Sequence, residues 1–200
     1  MKKTAIFLLI CLALSFSYNK GLLSLNIGSI IPMADTKMKD ISGKEISIKD
    51  ASQKNGVLVM FSCNTCPYVI RNQSRTKAIA AFARQNQIGM ILLNSNEAER
   101  GGDDSFSSMQ AYAKQQGYDF FYAVDTNSKL ADAFGATRTP EVYLFDAKGI
   151  LQYKGAIDDN PVDVNSVKRV HVKEAISEMV NGKTVSVKES RSMGCGIKRV

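Results

Sequence analysis

The chain has no tryptophan, one histidine, four cysteines and four prolines among its 200 residues. The single histidine, His171, excludes a His-rich metal cluster, and its place in a helical stretch reads as helix surface rather than as a catalytic base. Four cysteines are too few for a small scaffold stapled by disulfides, and 44% hydrophobic residues are enough to bury one solid core without staples. No apolar run comfortably spans a bilayer, the nearest being Ala5 to Leu14. Internal repeats and low-complexity tracts are absent. The net charge of +7 comes without any dense basic run interleaved with aromatics. Lys168, Arg169, Lys173, Lys183, Lys188, Arg191, Lys198 and Arg199 are spread along the second half as a solvated face, which argues against a nucleic-acid partner.

What is present begins with a targeting pattern. Met1-Lys2-Lys3 is a basic start, Ala5 to Leu14 an apolar stretch, and Ser15-Phe16-Ser17 offers small residues for cleavage. Residues 1–17 are therefore expected to be a signal peptide cut near Ser17 or Tyr18, the competing reading being an uncleaved anchor. Bulky Leu9 and Ile10 before Cys11 argue against lipoprotein attachment there. The expectation is an exported protein, periplasmic or secreted, with no stable membrane insertion after cleavage. Its charge falls to about +5 once Lys2 and Lys3 leave. The mature chain keeps Cys63, Cys66 and Cys195, an odd number that suggests chemistry rather than stapling.

Along the rest, residues 18–34 read as an extension and Lys37 to Ile48 as a hairpin turning at Ser42-Gly43-Lys44. Val57 to Phe61 is a strand, Pro67 to Gln85 a helix, and Ile88 to Leu93 a strand covered on both faces. A loop over Asn94 to Asp104 leads to a helix, Ser105 to Gln116, stopped by Gly117. Phe120 to Val124 is a strand, Asn127 to Phe134 a helix, and Pro140 to Phe145 with Ile150 to Tyr153 a second hairpin. The last helix falls within Asp163 to Met179, and residues 185–200 read as a C-terminal tail. The alternation predicts one α/β domain over 18–184, a mixed central sheet with helices on both faces and an N-terminal β-hairpin extension.

The chemistry concentrates at Cys63-Asn64-Thr65-Cys66, where the Val57–Phe61 strand meets a helix start. A helix N-terminus presents unpaired N–H groups and partial positive charge, so a thiolate there is stabilised below the free value of about 8.5. A second cysteine three residues on can attack a mixed disulfide formed by the first. Thr139-Pro140 opens a later strand, and its proline reads either as an ordinary trans edge residue or as a cis proline beside the CxxC pair. Asn94 and Asn96 follow a strand at the same sheet end, either lining the site or capping the loop. Arg138 either favours a Cys63 thiolate or is simply solvated, and Cys195 is either a third redox thiol or a bystander. Zinc on the CxxC pair would need Cys195 and His171 as further ligands, and no metal is expected. Asp158, Asp159 and Asp163 read as a polar loop rather than a metal loop.

Cys63-x-x-Cys66 at a strand–helix junction, Thr139-Pro140 before a strand and the Lys148-Gly149 turn resemble the thioredoxin superfamily. Ile27-Gly28-Ser29-Ile30-Ile31-Pro32 and the hairpin with Gly43-Lys44 are similar to its TlpA/ResA-like and AhpC/TSA-like, peroxiredoxin-like redoxin branch. Phe61 to Val69, Asn94-Ser95-Asn96 and Met193 to Lys198 carry the same resemblance, which runs from about Ile27 to the C-terminus. It implies a thioredoxin-like three-layer α/β/α sandwich, Cys63 as attacking thiol, Cys66 as resolving thiol and Pro140 as the cis proline. Thr139 and Pro140 would bind substrate, with Asn64, Thr65, Asn94 and Arg138 lining the site. The chain departs from the pattern in having Ser62 where a tryptophan is usual and no acidic residue in Val57 to Phe61, so no proton acceptor for Cys66 is assigned.

The expected function is an exported thiol–disulfide oxidoreductase without cofactor, with disulfide-containing protein substrates and a membrane electron donor or acceptor as partners. The alternative is a peroxiredoxin-like peroxidase, weakened because Met60 stands three residues before Cys63 where Thr or Ser is usual. A module carrying Cu(I) or Zn(II) on the cysteine pair ranks last.

Overall fold

The computed structural model describes residues 23–200, so the expected signal peptide at 1–17 lies outside the described residues. The elements are β1 (Met38–Lys39), β2 (Glu45–Ile46), α1 (Ile48–Ala51), β3 (Val57–Ser62), α2 (Pro67–Arg71), α3 (Gln73–Gln85) and β4 (Gly89–Asn94). They continue with α4 (Phe106–Gln116), β5 (Phe121–Val124), α5 (Lys129–Phe134), β6 (Arg138–Thr139), β7 (Glu141–Phe145), β8 (Leu151–Gly155), α6 (His171–Val180) and β9 (Cys195–Gly196).

Five strands form the central sheet in the order β5-β4-β3-β7-β8. β3 runs parallel to β4 and antiparallel to β7, so the sheet is mixed. Side chains alternate across β3 as the strand period requires. Leu58 and Met60 join Ile79, Ala83, Met109, Val172 and Ile176 beneath α3, α4 and α6. Val57, Val59 and Phe61 face the other way, against Ile48, Leu130 and Phe134 of α1 and α5. The result is the expected α/β/α sandwich. Both faces of β3 and β4 are buried throughout, which accounts for their unbroken apolar sequence. On the α5 side, Phe134 packs edge-on against Phe61 and Tyr143, with centroids at 5.4 and 5.1 Å.

The hairpin β1–β2 closes the β5 edge: Asp40 accepts the Tyr122 amide at 2.9 Å, and Ile41 donates to the Tyr122 carbonyl. Residues 25–31 run along the opposite edge, with Gly28 donating to Leu151 and Ile31 to Gly149.

The single helix expected over Pro67 to Gln85 is two. Asn72, at φ −94° and ψ 6°, separates α2 from α3. Its side chain donates to the Tyr68 carbonyl at 2.7 Å, offering that acceptor a local alternative to regular helix. The segment after residue 184 packs onto the domain. Val185 and Ile197 are buried, and β9 pairs antiparallel with β6, Thr139 facing Cys195 and Arg138 facing Gly196.

Candidate active site

β3 ends at Ser62 and delivers Cys63 to the end of the sheet. Cys66 then caps α2, with Pro67 in the first turn, where its missing N–H costs no helix bond. The antiparallel register places Glu141 of β7 opposite Phe61, so the residues just before β7 arrive beside the residues just after β3. Thr139 therefore meets both cysteines. Its hydroxyl lies 3.3 Å from Cys63 Sγ, and its carbonyl oxygen lies 3.2 Å from Cys66 Sγ. The Thr139–Pro140 peptide bond is cis.

Cys66 Sγ also lies 2.7 Å from Cys195 Sγ, and the three thiols are free. Cys66 thus stands between two other sulfurs. Hydrogen bonding from Cys63 pulls the Cys66 pKa down, burial opposes this, and hydrogen bonding from Cys195 assists, leaving it at about 4. Cys63 moves upward, because it faces Cys66 and is buried, while the Thr139 hydroxyl partly offsets the rise and the Asp104 carboxylate adds to it. Burial, then the neighbouring Cys66, pushes Cys195 up to about 11. Cys66 is thus the most acidic of the three sulfurs, with Cys63 and Cys195 pushed upward on either side of it. The stabilised thiolate is expected on Cys63, yet the facing Cys66 and burial push the Cys63 thiol upward, and the residue that caps α2 is Cys66.

The CxxC loop is braced by the carboxylate of Asp104, the last residue of the loop expected over Asn94 to Asp104. Asp104, fully buried, accepts the Asn64 amide at 2.9 Å and Asn94 Nδ2 at 2.7 Å on one oxygen, and Asn96 Nδ2 at 2.8 Å on the other. Tyr122 completes the bracket, donating to Asn64 Oδ1 at 2.9 Å and accepting from Asn94 Nδ2 at 3.0 Å. Burial holds the Tyr122 hydroxyl well above its ordinary pKa, so it stays neutral. Asn64 and Asn94 are thus buried in a network behind the pair.

Of the other expected residues, Thr65 is exposed. Arg138 is exposed too, its guanidinium donating to the Gly194 carbonyl at 3.2 Å rather than to a cysteine sulfur. Asp158 forms a buried pair with Arg75 at 2.9 Å, while Asp159 and Asp163 accept loop amides from Lys168 and Asn165. His171 stacks on Tyr153 and takes no part in the thiol cluster. Among the described residues, no group of three or more His, Cys, Asp or Glu side chains is placed to hold a metal ion. No described helix is long and apolar enough to cross a membrane.

The family model described as Redoxin matches residues 27–170. This chain belongs to the redoxin family. Among solved structures, this redoxin is similar to an uncharacterized conserved protein from Geobacillus kaustophilus, with 28% identity, a TM-score of 0.81, and coverage of 88% of this chain and 93% of that one. It shares its fold with a protein described as a thiol:disulfide interchange protein, DsbE, from Chlorobium tepidum, at 15% identity and TM-score 0.58, covering 80% and 98% of the two chains. Peroxidoxin BcpB from Mycobacterium tuberculosis has the same fold at 11% identity and TM-score 0.57, with 78% and 96% covered. A search of curated proteins finds no match. The redoxin branch of the thioredoxin superfamily, and the fold of its thiol–disulfide oxidoreductases, are thereby those of this chain.

Proposed function

We propose that this redoxin is a thiol–disulfide oxidoreductase whose reacting pair is Cys63 and Cys66. The observation that carries the reading is the seat of Thr139 against both sulfurs of a CxxC pair. A thiolate is what attacks a disulfide, and the Thr139 hydroxyl 3.3 Å from Cys63 Sγ offers that charge a hydrogen bond. Cys63 passes its proton to Cys66 and its sulfur attacks one sulfur of the substrate disulfide, expelling the other as thiolate. Cys66, once deprotonated, then attacks Cys63 Sγ of the mixed disulfide. The substrate leaves reduced and the Cys63–Cys66 disulfide remains. In the oxidising direction the same steps run backward, and the redox poise of the partner sets the direction.

Cys63 and Cys66 are 2% and 4% exposed and Cys195 packs against their cluster, so a protein substrate reaches the pair only as its cover moves. The β6 edge that an extended substrate would pair with is held by β9, and substrate binding at Thr139 and Pro140 competes with that strand. The partners on this reading are disulfide-containing proteins and a membrane redox donor or acceptor, met outside the cytoplasm after removal of residues 1–17.

Insulin reduction by the purified protein, with dithiothreitol as electron source, tests the reading. Cys63→Ser is expected to abolish catalysis, and Cys66→Ser to accumulate mixed disulfides. Undiminished insulin reduction by Cys63→Ser overturns the proposal. Rapid stoichiometric consumption of peroxide without insulin reduction moves the assignment to the peroxidase reading.

A further inference from the structure

The C-terminal segment is built into the site rather than laid over it. Thr139 faces Cys195 in the β6–β9 ladder, and the Ile197 amide donates to the Thr137 carbonyl at 3.0 Å. Beyond the ladder, the Lys198 amide donates to Asn96 Oδ1 at 3.0 Å, and the Ala98 amide to the Lys198 carbonyl at 3.0 Å. Gly194 sits so close to Thr139 that a Cβ there would stand 2.0 Å from its carbonyl oxygen. These contacts hold Cys195 Sγ 2.7 Å from Cys66 Sγ, whereas a disulfide needs about 2.05 Å. Closure is a movement of well under an ångström. Exposure differs in an informative way. Cys63 and Cys66 are buried, and Cys195 is the partly exposed member of the trio.

We propose that Cys195 is a third redox-active thiol, which takes the disulfide from Cys63–Cys66 by internal exchange at Cys66 and is the sulfur through which outside thiols reduce the protein. This rests on the dithiol chemistry proposed for Cys63 and Cys66. With that pair oxidised, Cys195 loses its proton to solvent and its sulfur attacks Cys66 Sγ. The Cys66–Cys195 bond forms as the Cys63–Cys66 bond breaks, and Cys63 leaves as a thiolate that takes up a proton. One disulfide and one thiol stand on each side, so no electrons are gained or lost. The Cys66 charge that helps hold the Cys195 proton is absent once Cys66 is in a disulfide, which favours the attacking form when it is needed. An external dithiol then attacks the partly exposed Cys195, releases Cys66 and closes its own disulfide through its second thiol, leaving all three protein sulfurs reduced. Substrate and reductant thus enter at different sulfurs.

The chain offers a convenient assay. Trypsin cuts after Lys54, Arg71, Arg191 and Lys198, so Cys63 and Cys66 share the peptide Asn55–Arg71, while Cys195 lies in Ser192–Lys198. The full-length protein is equilibrated in glutathione buffers of graded poise, blocked with N-ethylmaleimide, digested and read by mass spectrometry. The expected product is a cross-link between those two peptides with the maleimide on Cys63. A loop confined to Asn55–Arg71, with Cys195 blocked at every poise, overturns the proposal. Cys63→Ser is expected to close the Cys66–Cys195 disulfide within one molecule, and two free thiols in buffers that oxidise the wild type overturn it. Oxidised Cys195→Ser is expected to be reduced by dithiothreitol about tenfold more slowly than the wild type. Equal rates, with folding matched by circular dichroism, are the contrary result. Failure of the underlying dithiol reading looks different: the wild type forms no intramolecular disulfide and leaves insulin intact.

Discussion

Cys66 Sγ lies 3.2 Å from the carbonyl oxygen of Thr139, and the hydroxyl of that same threonine stands 3.3 Å from Cys63 Sγ. One residue thus touches both sulfurs by different chemistry. The hydroxyl favours the Cys63 thiolate, while the carbonyl favours the protonated state of Cys66. Thr139→Val keeps the shape and removes the hydroxyl. The loss of one hydrogen bond of about 1 kcal/mol raises the Cys63 pKa further and slows insulin reduction roughly fivefold at neutral pH. The fall is expected at every pH with the rising limb in place, because Cys66 rather than Cys63 titrates there. An unchanged rate would mean that the hydroxyl does not support the Cys63 thiolate.

The low Cys66 pKa makes a pH prediction with a defined sign. Cys66 is lowered from 9.0 to about 4 in the folded, reduced protein. Between those values the unfolded chain binds a proton at this site that the folded chain does not. The contribution to stability is therefore present in full above the unfolded value, and is lost as pH falls through the window toward 4. Ultraviolet thiolate absorbance of the reduced protein is expected to persist from neutral pH down to about pH 4, and to vanish in Cys66→Ser. A titration near the ordinary cysteine range, or one that survives in Cys66→Ser, contradicts the assignment.

Asp104 holds the loop that presents Cys63. Both its oxygens accept from donors, the Asn64 amide and Asn94 Nδ2 on one and Asn96 Nδ2 on the other. Asp104→Asn is nearly isosteric but turns an NH2 toward those donors. It is expected to cost about 2–3 kcal/mol in urea unfolding, from a buried donor facing donors and the loss of charge-assisted bonds. A change below about 0.5 kcal/mol means the bracket relaxes and does not brace the loop.

The legibility of these features in the sequence divides along physical lines. β3 and β4 were readable because strands buried on both faces must be apolar throughout, and Val57–Phe61 and Ile88–Leu93 are so, apart from Gly89. Ser105 and Gly117 announced the two ends of α4, and the structure has Ser105 accepting the Ser108 amide and Gly117 at φ 66°. The CxxC pair and Thr139-Pro140 were legible as chemistry. β9 was not, because Gly194-Cys195-Gly196 has no alternating apolar pattern and its pairing comes wholly from tertiary contact with β6. Asp104 was hidden for a related reason: its partners Asn64, Asn94 and Asn96 converge only once the sheet is assembled. The break at Asn72 was open to inspection, since an asparagine inside a helix competes for backbone acceptors, but a continuous apolar side masked it.

Arg75 and Asp158 make the buried ion pair of the described residues, their side chains 9% and 2% exposed. Arg75 Nη1 reaches both carboxylate oxygens, at 3.1 and 2.9 Å, and the Asn160 carbonyl at 2.8 Å. Arg75→Met leaves the carboxylate buried without its cation and is expected to cost about 3–5 kcal/mol in urea unfolding. Arg75→Met with Asp158→Leu removes both charges and should recover most of that loss. A double variant as unstable as the single one would show that the loop before α6 depends on the hydrogen bond to Asn160 rather than on the pair.

Gly194 supplies the test of how tightly the C-terminal segment is seated. A Cβ at this position would stand 2.0 Å from the Thr139 carbonyl oxygen and 2.7 Å from its carbon. Both are rigid backbone atoms that Cys66 and β9 also use. Gly194→Ala must therefore push β9 away from β6 rather than nudge a side chain. Of the core only Ile197 lies on the displaced segment, so unfolding by urea should move by about 1–2 kcal/mol. Cys195, released from its contact with Cys66, is expected to react with maleimide about tenfold faster than in the wild type at neutral pH. Cys66 at the same time loses its contact with Cys195, a contact that lowers its pKa, so its thiolate absorbance should titrate at higher pH than in the wild type. Faster labelling and a raised Cys66 titration together identify β9 as a strand that both covers and tunes the pair. Labelling and titration at wild-type values would mean that the segment accommodates a methyl group without leaving Thr139, and that its hold on Cys195 does not depend on the close approach of Gly194.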